Sequence, residues 1–419
     1  MKMTDIAVLN VKDGLSVRVS TGAEAMVYDC GTHVKSGWGS SKPPAYCALI
    51  DDLLIQPHCL STIAISHIHS DHFNGFLAGS PPGLSRDPRI LLPRLPKVDY
   101  PKQPGVINAF LSCLMAADLA SYSLSSTPGL YEIDLVRRIQ KYAPGAVPVP
   151  LSQGDPVPSA GGLEWHCLWP PRCFRLGDRA VGSLAKAIQA FNELAGQKGW
   201  SWLNEVLERV RESKTYTSLV DDNAQDNREN SFVEFEIESD ELDDDENVLS
   251  DDSDLADAQP LPLERVNRQL RNAANILSLV LRSDSGEIIL FGDATKSVVT
   301  RSLDYWRQIV CKEPKMKDRV AVAVNPHHGG KNHRPKNFLL AADFWVSSCG
   351  PWLDKQVDTW YSSGRKRHHI TNGDGKFEAH VRGRDIVSTA TFFPGWCPYC
   401  WRSFTFGSCR CHRCHHCWL

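Results

Sequence analysis

Apolar and polar positions follow two periods along this chain. Residues 5–66 carry short apolar runs separated by turns and predict a series of strands. The last of them, residues 60–66 (Leu-Ser-Thr-Ile-Ala-Ile-Ser), is β-branched and of strand length. The period then lengthens: over residues 103–143, Val106, Phe110, Leu111, Leu114, Ala117 and Leu119 recur at helical spacing, and residues 130–142 continue the pattern. Residues 148–171 return to a strand pattern, including 163–168 before the stop Trp169-Pro170-Pro171. One or two amphipathic helices are expected over 181–213, and a helix or extended lead-in over 265–275. Apolar strands follow at 276–282, 287–292 and 320–324. Strands and helices thus alternate in two runs of similar style.

Charge alters this picture in one place. The 419 residues sum to a formal −3 with 42% hydrophobic content, as in a soluble globular chain. Between Asp221 and Asp257, however, stand 17 acidic residues and one Arg. Taking these from the totals of 49 acidic and 46 basic residues leaves 32 and 45, a body of +13. The acidic stretch is too charged to bury itself and is expected to be a disordered, solvated insertion over 219–260, or else an arm that fills a basic groove. Within it, residues 232–237 (Phe-Val-Glu-Phe-Glu-Ile) alternate and predict a short strand or docking element. No apolar run approaches the ~20 residues that span a bilayer. The opening Met-Lys-Met-Thr-Asp-Ile lacks a signal core, so a cytoplasmic protein without membrane contact is expected.

The chemistry concentrates in residues 66–75, Ser-His-Ile-His-Ser-Asp-His-Phe-Asn-Gly. His67 and His69 alternate with Ile68, so both imidazoles leave an extended strand end on one side. Asp71 and His72 follow where the chain turns, able to face a second point nearby. Imidazole and carboxylate are the ligands that borderline divalent metals such as Zn²⁺ prefer, and this spacing makes half of a two-metal site. The alternative is a His-rich surface turn. Asp293 ends the apolar strand Ile-Ile-Leu-Phe after Gly292 and could bridge two metals or cap a helix. His327 and His328, in Asn-Pro-His-His-Gly-Gly after the 320–324 strand, offer one further ligand and one group facing substrate as proton donor or oxyanion contact. Which does which is open. The single His between the first motif and Asp293 is His166, a third ligand or a satisfied strand histidine.

These motifs resemble the metallo-β-lactamase superfamily, whose first signature is His-x-His-x-Asp-His after a strand, and within it the hydrolase domain of ComEC-type DNA-uptake proteins. The resemblance extends through Ile-Ala-Val-Leu-Asn-Val-Lys-Asp-Gly at 6–14, Met-Val-Tyr-Asp-Cys-Gly at 26–31, and Asn-Ile-Leu-Ser-Leu-Val-Leu at 275–281. It continues with Ile-Ile-Leu-Phe-Gly-Asp at 288–293, His-His-Gly-Gly at 327–330 and Thr-Asn-Gly-Asp-Gly at 371–375. The first turn departs from the Gly-rich form usual there. The resemblance implies an α/β fold (α+β in some schemes), an αββα sandwich over residues 1–390 with ligands clustered along one edge. It also implies Zn²⁺, two ions in the site, held by His67, His69, Asp71, His72, Asp293 and the His327/His328 pair. Without a third His the first position would be weak and open to Mn²⁺ or Mg²⁺.

Of 14 Cys, eight are scattered (Cys30, Cys47, Cys59, Cys113, Cys167, Cys173, Cys311, Cys349) and read as reduced core thiols. Six crowd the tail: Cys397, Cys400, Cys409, Cys411, Cys414 and Cys417, among His412, His415 and His416. A tail over 391–419 is too short for an apolar core, and Cys397-Pro-Tyr-Cys400 has the spacing of a zinc knuckle, so one structural Zn²⁺ is expected. Arg402, Arg410 and Arg413 in the tail, the run Arg365-Lys366-Arg367-His368-His369 and the basic body fit nucleic acid as partner. The leading expectation is therefore a phosphodiesterase, foremost a nuclease, in which a metal pair activates hydroxide, Asp71 orients it and the spare His assists the leaving oxygen. A hydrolase of a small ester, lactone or phosphocholine-like substrate is the second reading, and a non-catalytic binding protein the third.

Overall fold

The computed structural model describes residues 2–33, 42–55, 58–94, 134–176, 274–310, 319–338, 340–351, 353–363 and 366–392, with short pieces at 97–98, 188–189, 191–193, 212, 214–219 and 236–237. Its elements are, in order, β1 (Thr4–Val8), β2 (Ser16–Thr21), β3 (Glu24–Cys30), α1 (Pro44–Ile55), β4 (Cys59–Ala64), α2 (Ser70–Ala78), β5 (Leu84–Pro93) and β6 (Lys97–Val98). Then come α3 (Leu135–Tyr142), β7 (Val147–Leu151), β8 (Trp165–Trp169), β9 (Cys173–Leu176), α4 (Lys214–Leu219), β10 (Glu236–Ile237), β11 (Val280–Ser283) and β12 (Ile288–Leu290). The last are α5 (Lys296–Tyr305), β13 (Arg319–Val324), β14 (Ala341–Ser347), β15 (Arg367–Ile370), α6 (Thr371–Asp374), β16 (Lys376–Arg382) and β17 (Asp385–Phe392).

The chain is a mixed α/β fold built on two large sheets. An eight-stranded sheet has the order β17-β16-β1-β2-β3-β4-β5-β7, and a six-stranded one β15-β14-β13-β12-β11-β8. In each, antiparallel neighbours give way to a parallel run, β3-β4-β5-β7 in the first and β12-β13-β14-β15 in the second. Parallel neighbours need crossovers, which α1, α2, α3 and α5 supply. The side-chain period of two sorts each strand between two cores. Ile6, Val8, Met26, Tyr28, Leu279, Leu281, Ile288, Leu290, Val322, Val324 and Val346 form one cluster drawn from both sheets, so the sheets face each other. Ala7, Val27, Ile63, Ile289 and Trp345 point the other way, into a cluster with Leu49, Phe76, Ile139, Val299 and Leu303 of the helices.

Several boundaries differ from the sequence expectation, each for a local reason. Residues 5–66 contain α1 as well as strands: Ala45, Leu49 and Leu53, four apart, are its buried side. The helix expected from residue 130 is described from Leu135, where Asp134 caps it by accepting from Arg137 N at 3.0 Å. The strand expected over 276–282 starts at Val280, because Leu277 N and Ser278 N turn back to Ala274 and Asn275 carbonyls. Within 232–237, Glu236–Ile237 is a strand paired in parallel to β9. Of the scattered cysteines, Cys30, Cys167 and Cys349 are buried, but Cys47 and Cys59 are exposed rather than core. The periodicity at 103–133, most of 181–213, the rest of the acidic stretch, residues 265–273, Arg365, Cys113, Cys311 and the Cys/His tail lie outside the described residues. Among the described residues no helix is long and apolar enough to cross a membrane.

Helix α1 is held down partly by buried charge. Arg18 Nε lies 2.5 Å from Asp52 Oδ2, and Lys376 Nζ reaches Asp52 Oδ1 at 3.0 Å and Glu378 Oε2 at 3.2 Å. Each of these charges depends on the others, because a lone buried ion is costly. Asp52→Ala leaves two cations facing Glu378 and is expected to lower stability by about 3 kcal/mol. Urea unfolding of the variant against wild type measures this, and an unchanged midpoint would show the network to be dispensable.

Candidate metal centre

The parallel runs aim their carboxyl ends at one edge, the place where α/β sheets bind ligands. After β4 come His67, His69 and α2 with His72; after β12 comes Asp293; after β13 come His327 and His328. Two close approaches permit this. A Cβ at Gly31 would lie 2.0 Å from the Asp71 carbonyl carbon, so only glycine lets the end of β3 pass beneath the start of α2. Gly292, at φ +58°, sits against Ser66, where a Cβ would come within 2.6 Å of the Ser66 Cβ. Strand ends of both sheets are further tied by Leu279 N donating to Ser66 O at 2.6 Å and the Tyr28 hydroxyl donating to Leu279 O at 2.6 Å.

Two groups result, His67–His69–Asp293 and His72–Asp293–His328, each with its ligand atoms within 4.8 Å of one another and all five residues buried. These groups could hold a metal ion. Asp293 belongs to both. Its Oδ2 lies 3.3 Å from His72 Nε2 and its Oδ1 3.7 Å from His328 Nε2, and Oδ1 is buried without a hydrogen bond. Those separations are long for hydrogen bonds, yet two ligands ~2.1 Å from one tetrahedral ion lie roughly 3.4 Å apart. The donor set and its spacing fit a divalent metal. Asp293 is not a helix cap, since Thr295 fills that position on α5.

The outward nitrogens of the rings are held. His72 Nδ1–H donates to Asp29 Oδ2 at 2.8 Å, and the other Asp29 oxygen accepts from Ser66 N at 2.7 Å. His328 Nδ1–H donates to the Ser348 carbonyl at 2.6 Å. Both partners can only accept, so each Nε2 is the nitrogen left to face inward. Ser66 Oγ touches His67 Nδ1 at 2.9 Å and His72 Nδ1 at 3.1 Å, joining the two groups from behind. His67 Nε2 and His69 Nδ1 approach to 2.7 Å.

Electrostatics follow from this crowding. Burial opposes a charge on His72, but Asp293 and Asp29 outweigh it and hold its pKa well above the ordinary value. Burial likewise opposes Asp293, and His72, His327 and His328 together pull it well below the carboxylate range. Burial, then the neighbouring His72 and His69, push His67 well down, so His67 is neutral at pH 7. A metal at His72 must displace a proton, so affinity at this group falls as pH falls.

The sequence-derived residues divide accordingly. His67, His69, His72, Asp293 and His328 converge. His328 is the buried member of its pair and His327 the more open one, with side-chain exposures of 7% and 26%. Asp71 stands in neither group; half-buried in the first turn of α2, it acts on His67 through its charge. His166 is remote from the site, paired with Asp284 at 2.8 Å at the far end of the β11–β12 hairpin and part-exposed. The basic run turns largely inward: Lys366 Nζ lies 3.2 Å over the Trp360 ring, His369 donates to Gly375 O, and His368 meets Ser347 Oγ at 3.0 Å. Burial pushes the His368 pKa down to about 4, leaving Arg367 the exposed member among the described part. Asp29 and Ser66 stand in motifs the sequence showed but were given no role there, and Ser348 and His333 were not singled out. An Asp at the end of a buried strand was a readable signal for the first, whereas Ser348 acts through its carbonyl and leaves none.

No model of a known protein family matches the chain, and no curated protein matches it. The functional reading rests on the residues themselves.

Asp29→Asn tests the outer support. Its amide oxygen keeps the bond to Ser66 N, but its NH₂ would face His72 Nδ1, so that His72 presents N–H inward. Zn²⁺ affinity is expected to drop on the order of 10–100-fold, read by chelator competition. Unchanged affinity would mean that Asp29 does not set the ring.

Proposed function

We propose that the chain is a metal-dependent hydrolase on a metallo-β-lactamase-type αββα sandwich, acting on phosphodiesters and foremost as a nuclease. The observation that carries this reading is the sharing of one buried carboxylate, Asp293, by two imidazole groups at the carboxyl ends of strands from both sheets. His67, His69 and Asp293 would hold one ion, and His72, Asp293 and His328 the second. Bound divalent metal supplies Lewis acidity and a nucleophile at neutral pH. The protein groups do the positioning. Asp29, Ser66 and Ser348 fix the rings, Asp71 adds negative charge beside His67, and His327 faces the open side with Nε2 3.6 Å from Asp293 Oδ2. In that place His327 can donate a proton to a leaving oxygen or contact an oxyanion.

The basic body of +13 outside residues 221–257 favours a polyanionic substrate. The inward turn of Lys366, His368 and His369 removes one support for it and keeps a small ester or lactone as the second reading. Cys397 and Cys400, completed from among Cys409, Cys411, Cys414 and Cys417, are proposed to hold one structural Zn²⁺, and the tail with its arginines to assist nucleic-acid binding.

Elemental analysis and a substrate screen test this together. Full-length protein purified without chelator is expected to carry about three metal ions, and His67→Ala/His69→Ala to lose metal from the site while keeping that of the tail. Asp293→Asn is expected to abolish cleavage of bis-p-nitrophenyl phosphate and DNA while the chain stays folded. Turnover of a lactone or carboxylic ester with both phosphodiesters intact would decide for the second reading, and absence of bound metal would refute both.

A further inference from the structure

His327 and His328 are neighbours in sequence, both with left-handed backbones, at φ 44° and 60°. Their turn is pinned by His327 N donating to Gly292 O at 2.9 Å and Gly330 N to His327 O at 3.0 Å. Their rings nevertheless have chemically different supports. Behind His328 stands the Ser348 carbonyl, which only accepts. Behind His327 stands another imidazole, that of His333, whose Nε2 meets His327 Nδ1 in a short hydrogen bond. The His333 ring is buried, sits at the end of a single 3₁₀ turn (Lys331–His333), and meets the His327 ring edge-on with centroids 3.8 Å apart.

That difference decides what His327 can do. If His333 accepts, His327 carries its proton on Nδ1 and turns a lone pair inward, as a further ligand. If His333 donates, His327 carries its proton on Nε2 and turns an N–H inward, as a donor. Two observations favour the second. The ligand place beside Asp293 is taken by His328, whose carbonyl support leaves Nε2 as its inward nitrogen. His327 stands outside both metal groups, on the more open side of the site, where an inward N–H meets substrate rather than metal.

We infer that His333 is a positioning residue: its Nε2–H donates to His327 Nδ1, fixes the plane and tautomer of that ring, and turns the His327 Nε2–H inward as the hydrogen-bond donor that contacts the developing oxyanion. Its catalytic consequence rests on the proposed hydrolase; the tautomer does not. His333 belongs to neither metal group, so its role is separable from metal binding.

The test uses full-length protein labelled with ¹⁵N-histidine, loaded with Zn²⁺, in wild type, His333→Leu, His333→Gln and His333→Glu. Long-range ¹H–¹⁵N correlation spectra are expected to show His327 as the Nε2–H tautomer in wild type and in His333→Gln, which retains a donor. In His333→Glu, whose carboxylate only accepts, His327 is expected to switch to Nδ1–H. Zinc content is expected to stay at the wild-type value throughout. With bis-p-nitrophenyl phosphate, His333→Leu is expected to lower kcat on the order of 10²-fold at unchanged KM. Gln should restore most of the loss, and adding His333→Leu to His327→Ala should cost nothing further. An Nδ1–H tautomer in wild type, or a tautomer indifferent to His333→Glu, overturns the inference, as does zinc lost from His333→Leu. Absence of phosphodiester cleavage by wild type would refute the proposed substrate and leave the spectra to decide the role of His333.

Discussion

One buried carboxylate facing imidazoles on two sides is the constraint around which the rest is arranged. Asp293 comes from the six-stranded sheet, while His67, His69 and His72 come from the eight-stranded one. To bring them within a few ångströms, both sheets must end their parallel strands at the same edge and approach closely there. Small or backbone-specific groups occupy that seam. Gly292 lies against Ser66, Leu279 N is bonded to Ser66 O, and the Tyr28 hydroxyl reaches across to Leu279 O. The apolar cluster shared by the two sheets fixes their separation, and the polar seam fixes their register at the site.

Concentrating imidazoles and carboxylates in a dry place requires opposite charges to lie close together. His72 lies between Asp29 and Asp293, whose fields favour positive charge at this place. The same field holds Asp293 ionised. The Asp29, Ser66 and Ser348 contacts hold the rings from behind, so a divalent ion would ask little reorganisation of the protein. That is the practical meaning of a preorganised site.

The strand-and-helix alternation, the five converging side chains and the strand ends that carry them were legible in the sequence because each rests on spacing. His67 and His69 two apart, and Asp293 and the His pair after apolar runs, express strand periodicity directly. Other features depend on tertiary contact. Helix α1 was hidden because Ala45, Leu49 and Leu53 lie in a segment otherwise read as strands and turns. Asp71 shares the motif of His67, His69 and His72 but not their destination, since α2 begins at Ser70 and leaves its carboxylate outside both groups. The choice between His327 and His328 could not be read from composition. The structure groups His328, backed by the Ser348 carbonyl, with His72 and Asp293, and backs His327 with the ring of His333, partners that sequence order does not pair.

The two groups are not equally supported, and this bears on how a metal pair would behave. His72 and His328 each donate to an acceptor-only oxygen, one of them a carboxylate, which raises the electron density of the ring and fixes its orientation. His67 has the Ser66 hydroxyl behind it, and His69 meets His67 directly, so one of these two rings must give up a mutual hydrogen bond before both can serve one ion. A metal held by His67, His69 and Asp293 therefore begins from a less organised and less basic donor set than one held by His72, Asp293 and His328. Each group offers three protein ligands, two histidines and the shared Asp293, so the two differ in how the rings are supported and not in number, and His166, paired with Asp284, adds to neither. If the proposed metal pair binds, an ion held by the well-supported rings of His72 and His328 would fix the shared carboxylate, and one held by the less organised His67 and His69 would exchange more readily.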